Sequence, residues 1–229
     1  MRAILLSAGL GTRLRPITDT IPKCLVSIKD EPLLAIWLER LTNAGIGPFL
    51  INTHYLNKQV EEFVASSTHR DQIKLVHEAD LLGTAGTLIA NLNFYGDRDG
   101  LLIHADNYCL ANFNAFLAAH KKRPPECLMT MMTFRTKTPS SCGIVELDAR
   151  GVVVGFHEKV SNPPGNLANG AVYILCHKLI RGFATGSRGV TDFSTEVLHH
   201  LIGKIYSYET DQVFIDIGSP ENLSIANAT

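Results

Sequence analysis

Four short apolar runs, at residues 3–7, 48–52, 73–77 and 100–105, alternate with segments whose apolar residues recur at helical spacing. In "PLLAIWLERLTNA" at 32–44, positions 33, 34, 36, 37, 38 and 41 form one apolar stripe that stops near Gly45. That is the pattern of an amphipathic helix. Further helices are predicted over 57–66, with Asn57 as N-cap, over 84–92 and over 111–122. Buried strands alternating with helices predict an α/β fold, with a Rossmann-like, mainly parallel sheet flanked by helices. The second half changes character. "ECLMTMMTF", "CGIVELD", "GVVVGFHE" and "GAVYIL" are closely spaced strand-like runs, and a turn at Asp148–Gly151 joins two of them. They predict a β-rich insertion. A helix at about 192–202, strands near 204–208 and 212–217, and a last helix from about Pro220 follow.

The stretch "LLSAGLGTRLRPITDTIPK" at 5–23 places two glycines, two arginines and a lysine just after the first strand. In open α/β sheets ligands sit outside the carboxyl ends of the strands. Asp106 ends the strand at 100–105, so parallel strands would put it on the same edge as this stretch. A dinucleotide fingerprint is excluded, because Leu14 stands where the third glycine belongs and no acidic residue ends the second strand. A P-loop string is absent. Glycine backbone can approach phosphate oxygens without a Cβ in the way. Arg13 can grip phosphates with two parallel hydrogen bonds, and Lys23 supplies a compact charge.

The longer pattern Gly9-Leu10-Gly11-Thr12-Arg13-Leu14, with Pro16, Thr18, Pro22 and Lys23, resembles the signature of the sugar-1-phosphate nucleotidyltransferases. Those enzymes join a nucleoside triphosphate to a sugar 1-phosphate. The resemblance implies that Ala8, Gly9, Gly11, Thr12, Arg13 and Lys23 bind nucleotide, and that Arg13, Lys23 and Asp106 are catalytic. "LGTAG" at 82–86 resembles the base-recognition loop, implying nucleotide contacts at Gly83, Thr84 and Gly86; a glycine-rich helix start capped by Thr84 is the other reading. Glu78 touches the base or ribose, or is a solvated glutamate. Asp106, and Asp216 in "VFIDIGSPE", match the ligands of the cofactor Mg²⁺. Ala105 stands where the family more often has Gly or Ser, and Ser219 where it has Thr. Gly143, Glu158, Lys159 and Asn169 match the residues that bind the sugar and its phosphate, with Val160 in place of the usual Pro. An exposed Glu-Lys pair and a β-turn at Asn169-Gly170 are the plain alternatives.

The matches run in family order from residue 3 to about 222, implying one nucleotidyltransferase domain over 1–229. Nucleotide binding is expected over about 1–125, and sugar binding with a C-terminal return over about 126–229. "PKCLVSI" and "EADLLGTAGT" look most like the mannose-1-phosphate and heptose-1-phosphate guanylyltransferases, which favours GTP. UTP or dTTP with another hexose 1-phosphate comes next, then CTP with a phospho-alcohol such as phosphocholine. A catalytically silent nucleotide-sugar sensor subunit is the non-enzyme alternative.

A net charge of −1 offers no basic field for nucleic acid. No run approaches the ~20 apolar residues of a membrane span, and the run at 3–8 is too short for a signal-peptide core. Five scattered cysteines without a C-x-x-C suggest reduced thiols and a cytoplasmic enzyme. A homo-oligomer is compatible with all of this. His199 and His200 read as packing or surface, and Met129, Met131 and Met132 as core filling.

Overall fold

The run Ala3-Ile4-Leu5 is wholly buried, and it forms the middle of the first strand. A computed structural model describes residues 1–186 and 189–229 of the chain, with Thr185 described in its backbone alone. In chain order the elements are β1 (Arg2–Leu6), β2 (Ser27–Ile28), β3 (Glu31–Pro32), α1 (Leu33–Asn43), β4 (Phe49–Thr53), α2 (Asn57–Ser66) and β5 (Ile73–His77). Then come α3 (Gly83–Ala90), β6 (Gly100–His104), β7 (Asn107–Cys109), α4 (Phe113–Lys122), β8 (Met129–Arg135), β9 (Gly143–Leu147), β10 (Val153–Glu158) and β11 (Leu167–Leu175). The chain closes with α5 (His177–Gly186), α6 (Phe193–Glu196), β12 (Ile205–Glu209), β13 (Phe214–Asp216) and α7 (Pro220–Ala228).

The chain divides into two compact units. Unit 1 comprises Met1–Leu81, Ile103–Ala111 and Gln212–Thr229. Its sheet is parallel: β1 pairs with β4, and β4 with β5, in unbroken register. The fully buried strands Ala3–Leu5 and Phe49–Ile51, with Leu33, Leu34, Leu38 and Leu41 of α1, make its core. Each such large aliphatic side chain contributes about 1.5–3 kcal/mol of burial. Beyond the strand ends, the Ala105 N–H donates to the Leu6 carbonyl at 3.0 Å. That contact sets the start of the glycine-rich stretch beside Asp106. The short β13 runs antiparallel to β7, pairing Asp216 with Asn107.

Unit 2 comprises Leu82–Leu102 and Asn112–Asp211. Its strands follow the order β10-β9-β11, and β8 joins β11 to β12. β9 pairs antiparallel with β10 and with β11, β8 pairs antiparallel with β11, and β12 pairs parallel with β8. The three methionines of β8 are fully buried core, as expected.

Several boundaries differ from expectation, each for a local reason. Asn57 is the first residue of α2, not its cap; Leu56 holds the cap position at φ 50°, and the Asn57 amide donates to Glu61. Asn112 caps α4 through the Ala115 N–H, so that helix starts two residues later than its pattern. The helix expected at 192–202 breaks after Glu196, and a 3-10 turn at Leu198–Leu201 follows.

Candidate active site

Pro22 sets an extended backbone before a 3-10 turn at Lys23–Leu25. The turn buries Lys23 to 7% exposure. A buried ammonium needs paired charge around it, and two carboxylates supply it. Lys23 Nζ donates to Asp106 Oδ2 at 2.8 Å and to Asp216 Oδ1 at 3.4 Å. Asp106 stands just before β7 and Asp216 ends β13, so the pairing of Asp216 with Asn107 brings the two acids to one ammonium. α1 fixes this ribbon, because Trp37 Nε1–H donates to the Asn107 carbonyl at 2.9 Å. Burial is the largest influence and by itself would raise the Asp106 carboxyl, but the charges of Lys23 and His104 and the hydrogen bonds to the carboxylate together hold the group below the usual carboxylate range.

Arg13 follows Gly11, which takes φ 63°; a Cβ on Gly9 would meet nothing within 4 Å. The Arg13 side chain is mostly exposed and its Nη2 lies 3.5 Å from Asp216 Oδ2. A Cβ on Gly218 would stand 2.6 Å from that nitrogen, so the glycine of "DIGS" lets the guanidinium lie against the backbone. The Gly218 N–H donates to Asp216 Oδ1 at 2.9 Å, and Asn222 Nδ2 to the Asp216 carbonyl at 2.8 Å. Gly218 and Asn222 went unassigned in the sequence, although the D-I-G string was visible.

Glu78 is buried, not solvated. Asn52 Nδ2 donates to its Oε1 at 3.0 Å, and Asn52 Oδ1 accepts the Ser7 N–H at 2.8 Å. The Ser7 hydroxyl donates to the Asn52 carbonyl at 2.6 Å. One asparagine at the end of β4 therefore ties Glu78 to the residue that opens the glycine-rich stretch. In the sequence Asn52 stood out only as not being acidic.

In unit 2 the loop at 82–86 opens α3. Gly83 has φ 76°, and a Cβ there would collide with the Thr191 carbonyl oxygen, so only glycine fits. Thr84 is not the helix cap; Leu82 holds that position, and Thr84 lies one residue inside the helix. Its hydroxyl accepts the Phe193 N–H at 2.7 Å. The Ala85 N–H donates to the Thr191 carbonyl at 2.9 Å.

Sheet register also gathers the other four residues of unit 2. Gly143 pairs with Glu158 across β9 and β10, and neighbouring Ile144 pairs with Ala168 on β11, next to Asn169. A Cβ on Gly143 would come within 2.5 Å of Glu158 Oε2. Lys159 Nζ lies 3.4 Å from Glu158 Oε1. Asn169 donates from Nδ2 to the Tyr173 hydroxyl at 2.8 Å, while its Oδ1 accepts the Ala171 N–H at 2.9 Å. Lys159 at φ 49° and Ala171 at φ 52° hold left-handed backbone that L-residues rarely adopt. Strain of this kind clusters at functional sites. Among the described residues no group of three or more His, Cys, Asp or Glu is arranged to hold a metal, and no helix is long and apolar enough to cross a membrane.

Residues 2–229 match the nucleotidyl transferase family. The chain is 29% identical over 228 residues to a mannose-1-phosphate guanylyltransferase catalytic subunit beta from Danio rerio, covering 97% of this chain and 62% of that protein. It therefore spans about three fifths of that relative's length. It is 29% identical over 223 residues to a D-glycero-alpha-D-manno-heptose 1-phosphate guanylyltransferase from Campylobacter jejuni, covering 97% of this chain and 96% of that one. The solved structure of HddC from Yersinia pseudotuberculosis complexed with GMP-PN shares the fold, with a TM-score of 0.82 at 23% identity over 99% of this chain and 98% of that one.

Proposed function

The chain belongs to the nucleotidyl transferase family, and from that premise we propose that it joins a nucleoside triphosphate to a sugar 1-phosphate, giving a nucleotide sugar and pyrophosphate. The observation that carries this reading is Lys23, a buried ammonium shared by Asp106 and Asp216 with Arg13 beside the second acid. Cations held ready at this point stabilise phosphate charge without reorganising when the reaction occurs.

The attacking oxygen belongs to the sugar phosphate, already an anion, so no side chain has to remove a proton. It attacks the α-phosphorus, the bond from that phosphorus to the α–β bridging oxygen breaks, and pyrophosphate leaves with the electron pair. Lys23 holds the α-phosphate and Arg13 the β- and γ-phosphates, aided by backbone N–H groups at Gly9, Gly11 and Thr12. Glu158 accepts from sugar hydroxyls, Asn169 binds a further one, and Lys159 pairs with the sugar phosphate. Positioning of this kind, added to charge neutralisation, is the main catalytic resource in phosphoryl transfer.

Two carboxylates with hard oxygen donors suit Mg²⁺, which keeps several waters and takes phosphate oxygens as further ligands. Asp106 and Asp216 would hold it, and it would supply charge neutralisation on the phosphates.

GTP is the favoured nucleotide. Guanine offers two adjacent donors, N1–H and the N2 amine, which a carboxylate can accept together; Glu78 would exchange its bond from Asn52 Nδ2 for these. Uracil and thymine flank their single N3–H with carbonyl oxygens that would repel it. Manno-configured sugar 1-phosphates are the first substrates to try, and the free thiols favour a cytoplasmic enzyme. Reversal gives a direct test: with Mg²⁺, a GDP-sugar and labelled pyrophosphate, label should enter GTP. No incorporation from any nucleotide sugar would contradict the reading.

A further inference from the structure

Helix α6, Phe193–Glu196, is four residues long, too short to persist on its own hydrogen bonds. It is fixed instead at its head. Asp192 Oδ1 accepts the Thr195 N–H at 2.7 Å and the Thr195 hydroxyl at 2.8 Å. Its Oδ2 accepts the Thr84 hydroxyl at 3.4 Å, and that hydroxyl accepts the Phe193 N–H. One residue earlier, the Thr191 carbonyl accepts the N–H groups of Ala85 and Gly86, at 2.9 and 3.4 Å. Glu196 holds Thr191 in turn, accepting its N–H at 2.8 Å and its hydroxyl at 3.2 Å. The start of α3 thus commits its threonine hydroxyl and two of its first N–H groups to the α6 segment. Thr84 therefore acts by holding the loop backbone in place.

The other side of α6 reaches the sugar residues of the same unit. Phe193 is fully buried, with its ring 4.9 Å from that of Tyr173. Ser194 stands beside the Tyr173 hydroxyl, the same hydroxyl that accepts from Asn169 Nδ2 at 2.8 Å. Since Asn169 Oδ1 is taken by the Ala171 N–H, both ends of the amide are fixed.

We propose that α6 is a strut shared by the loop at 82–86 and by Asn169, with Asp192 as the positioning residue at its head. Loosening the strut weakens nucleotide and sugar phosphate binding together. What the two ends bind rests on the proposed function; the mechanical link does not.

The test compares Asp192→Ala, which loses both acceptors, with Asp192→Asn, whose single amide oxygen keeps the cap on Thr195 and whose NH2 group donates to the Thr84 hydroxyl instead of accepting from it. Steady-state pyrophosphate release should show KM for GTP and for the sugar 1-phosphate both rising about tenfold in Asp192→Ala, with kcat within about twofold. Asp192→Asn should restore both. Hydrogen exchange provides a second readout that needs no activity: the N–H groups of Ala85, Gly86 and Phe193 should lose protection in Asp192→Ala and regain it in Asp192→Asn. Unchanged KM values beside a lowered melting temperature would overturn the strut, as would a rise in one KM alone or unchanged exchange at Ala85 and Gly86. A parent protein without turnover would refute the proposed function and leave exchange to decide the strut.

Discussion

Lys23 Nζ lies 2.8 Å from Asp106 Oδ2, and the two residues come from turns 83 positions apart in the chain. The cation is buried while the acid stays partly exposed. In the proposed reaction an arriving phosphate would compete for the ammonium and leave the acid to hold Mg²⁺.

Removing this charge should stop the chemistry without unfolding the chain. Lys23→Ala and Asp106→Ala are each expected to lower the rate of pyrophosphate release by about 10³-fold. Circular dichroism should confirm a folded protein in both. Near-parent turnover in either variant would remove that residue from the machinery.

Glu78→Gln tests the base. A neutral amide keeps one acceptor and gains a donor, so kcat/KM for GTP should fall about 10–100-fold and that for UTP or dTTP should rise. Competition between the triphosphates measures this directly. Unchanged GTP preference would move base reading away from Glu78.

Ala171 holds φ 52° in β11, at the point where its register with β8 shifts. Glycine takes that conformation without a Cβ penalty, so Ala171→Gly should stabilise the protein by about 1 kcal/mol. That corresponds to a rise in Tm of about 2–4 °C. A fall in Tm would show that Ala171 is not strained.

The fold was legible because unit 1 is built from local patterns. The strand predicted at 73–77 and the helix start at Pro220 coincide with the observed elements. Gly9, Gly11, Arg13 and Lys23 were legible as a string. Their assembly was not, because the β7–β13 pairing joins residues about a hundred positions apart, and a three-residue strand carries little periodic signal. Asn52, Tyr173 and Asp192 were missed for a related reason. Each acts through a neighbour distant in sequence, and the cap at Asp192 was visible only as the start of a helix. Glycines told more, since Gly83, Gly143 and Gly218 each mark a place where a Cβ would collide.

His120 provides a pH signature away from the site. It is buried on α4, where its Nε2–H donates to Asp99 at 3.2 Å and its Nδ1 accepts from the Thr130 hydroxyl at 2.8 Å. Burial, reinforced by Arg123, pushes its pKa down to about 4, against the pull of Asp99. Above pH ~6.5 both folded and unfolded states are neutral at this residue. Between pH ~6.5 and ~4 only the unfolded chain takes the proton, so stability falls with pH by about 3 kcal/mol over that window. Replacing His120 by Gln should remove this part of the slope in chemical denaturation. An unchanged slope would place the effect elsewhere.

The most direct measurement is pyrophosphate release with Mg²⁺, crossing GTP, UTP, dTTP, CTP and ATP against a panel of sugar 1-phosphates and phosphocholine. Release is expected with GTP and a manno-configured sugar 1-phosphate, and it should be absent in Lys23→Ala. Silence across every pair, with nucleotide binding still measurable, would contradict a nucleotidyltransferase and favour a nucleotide-sugar sensor.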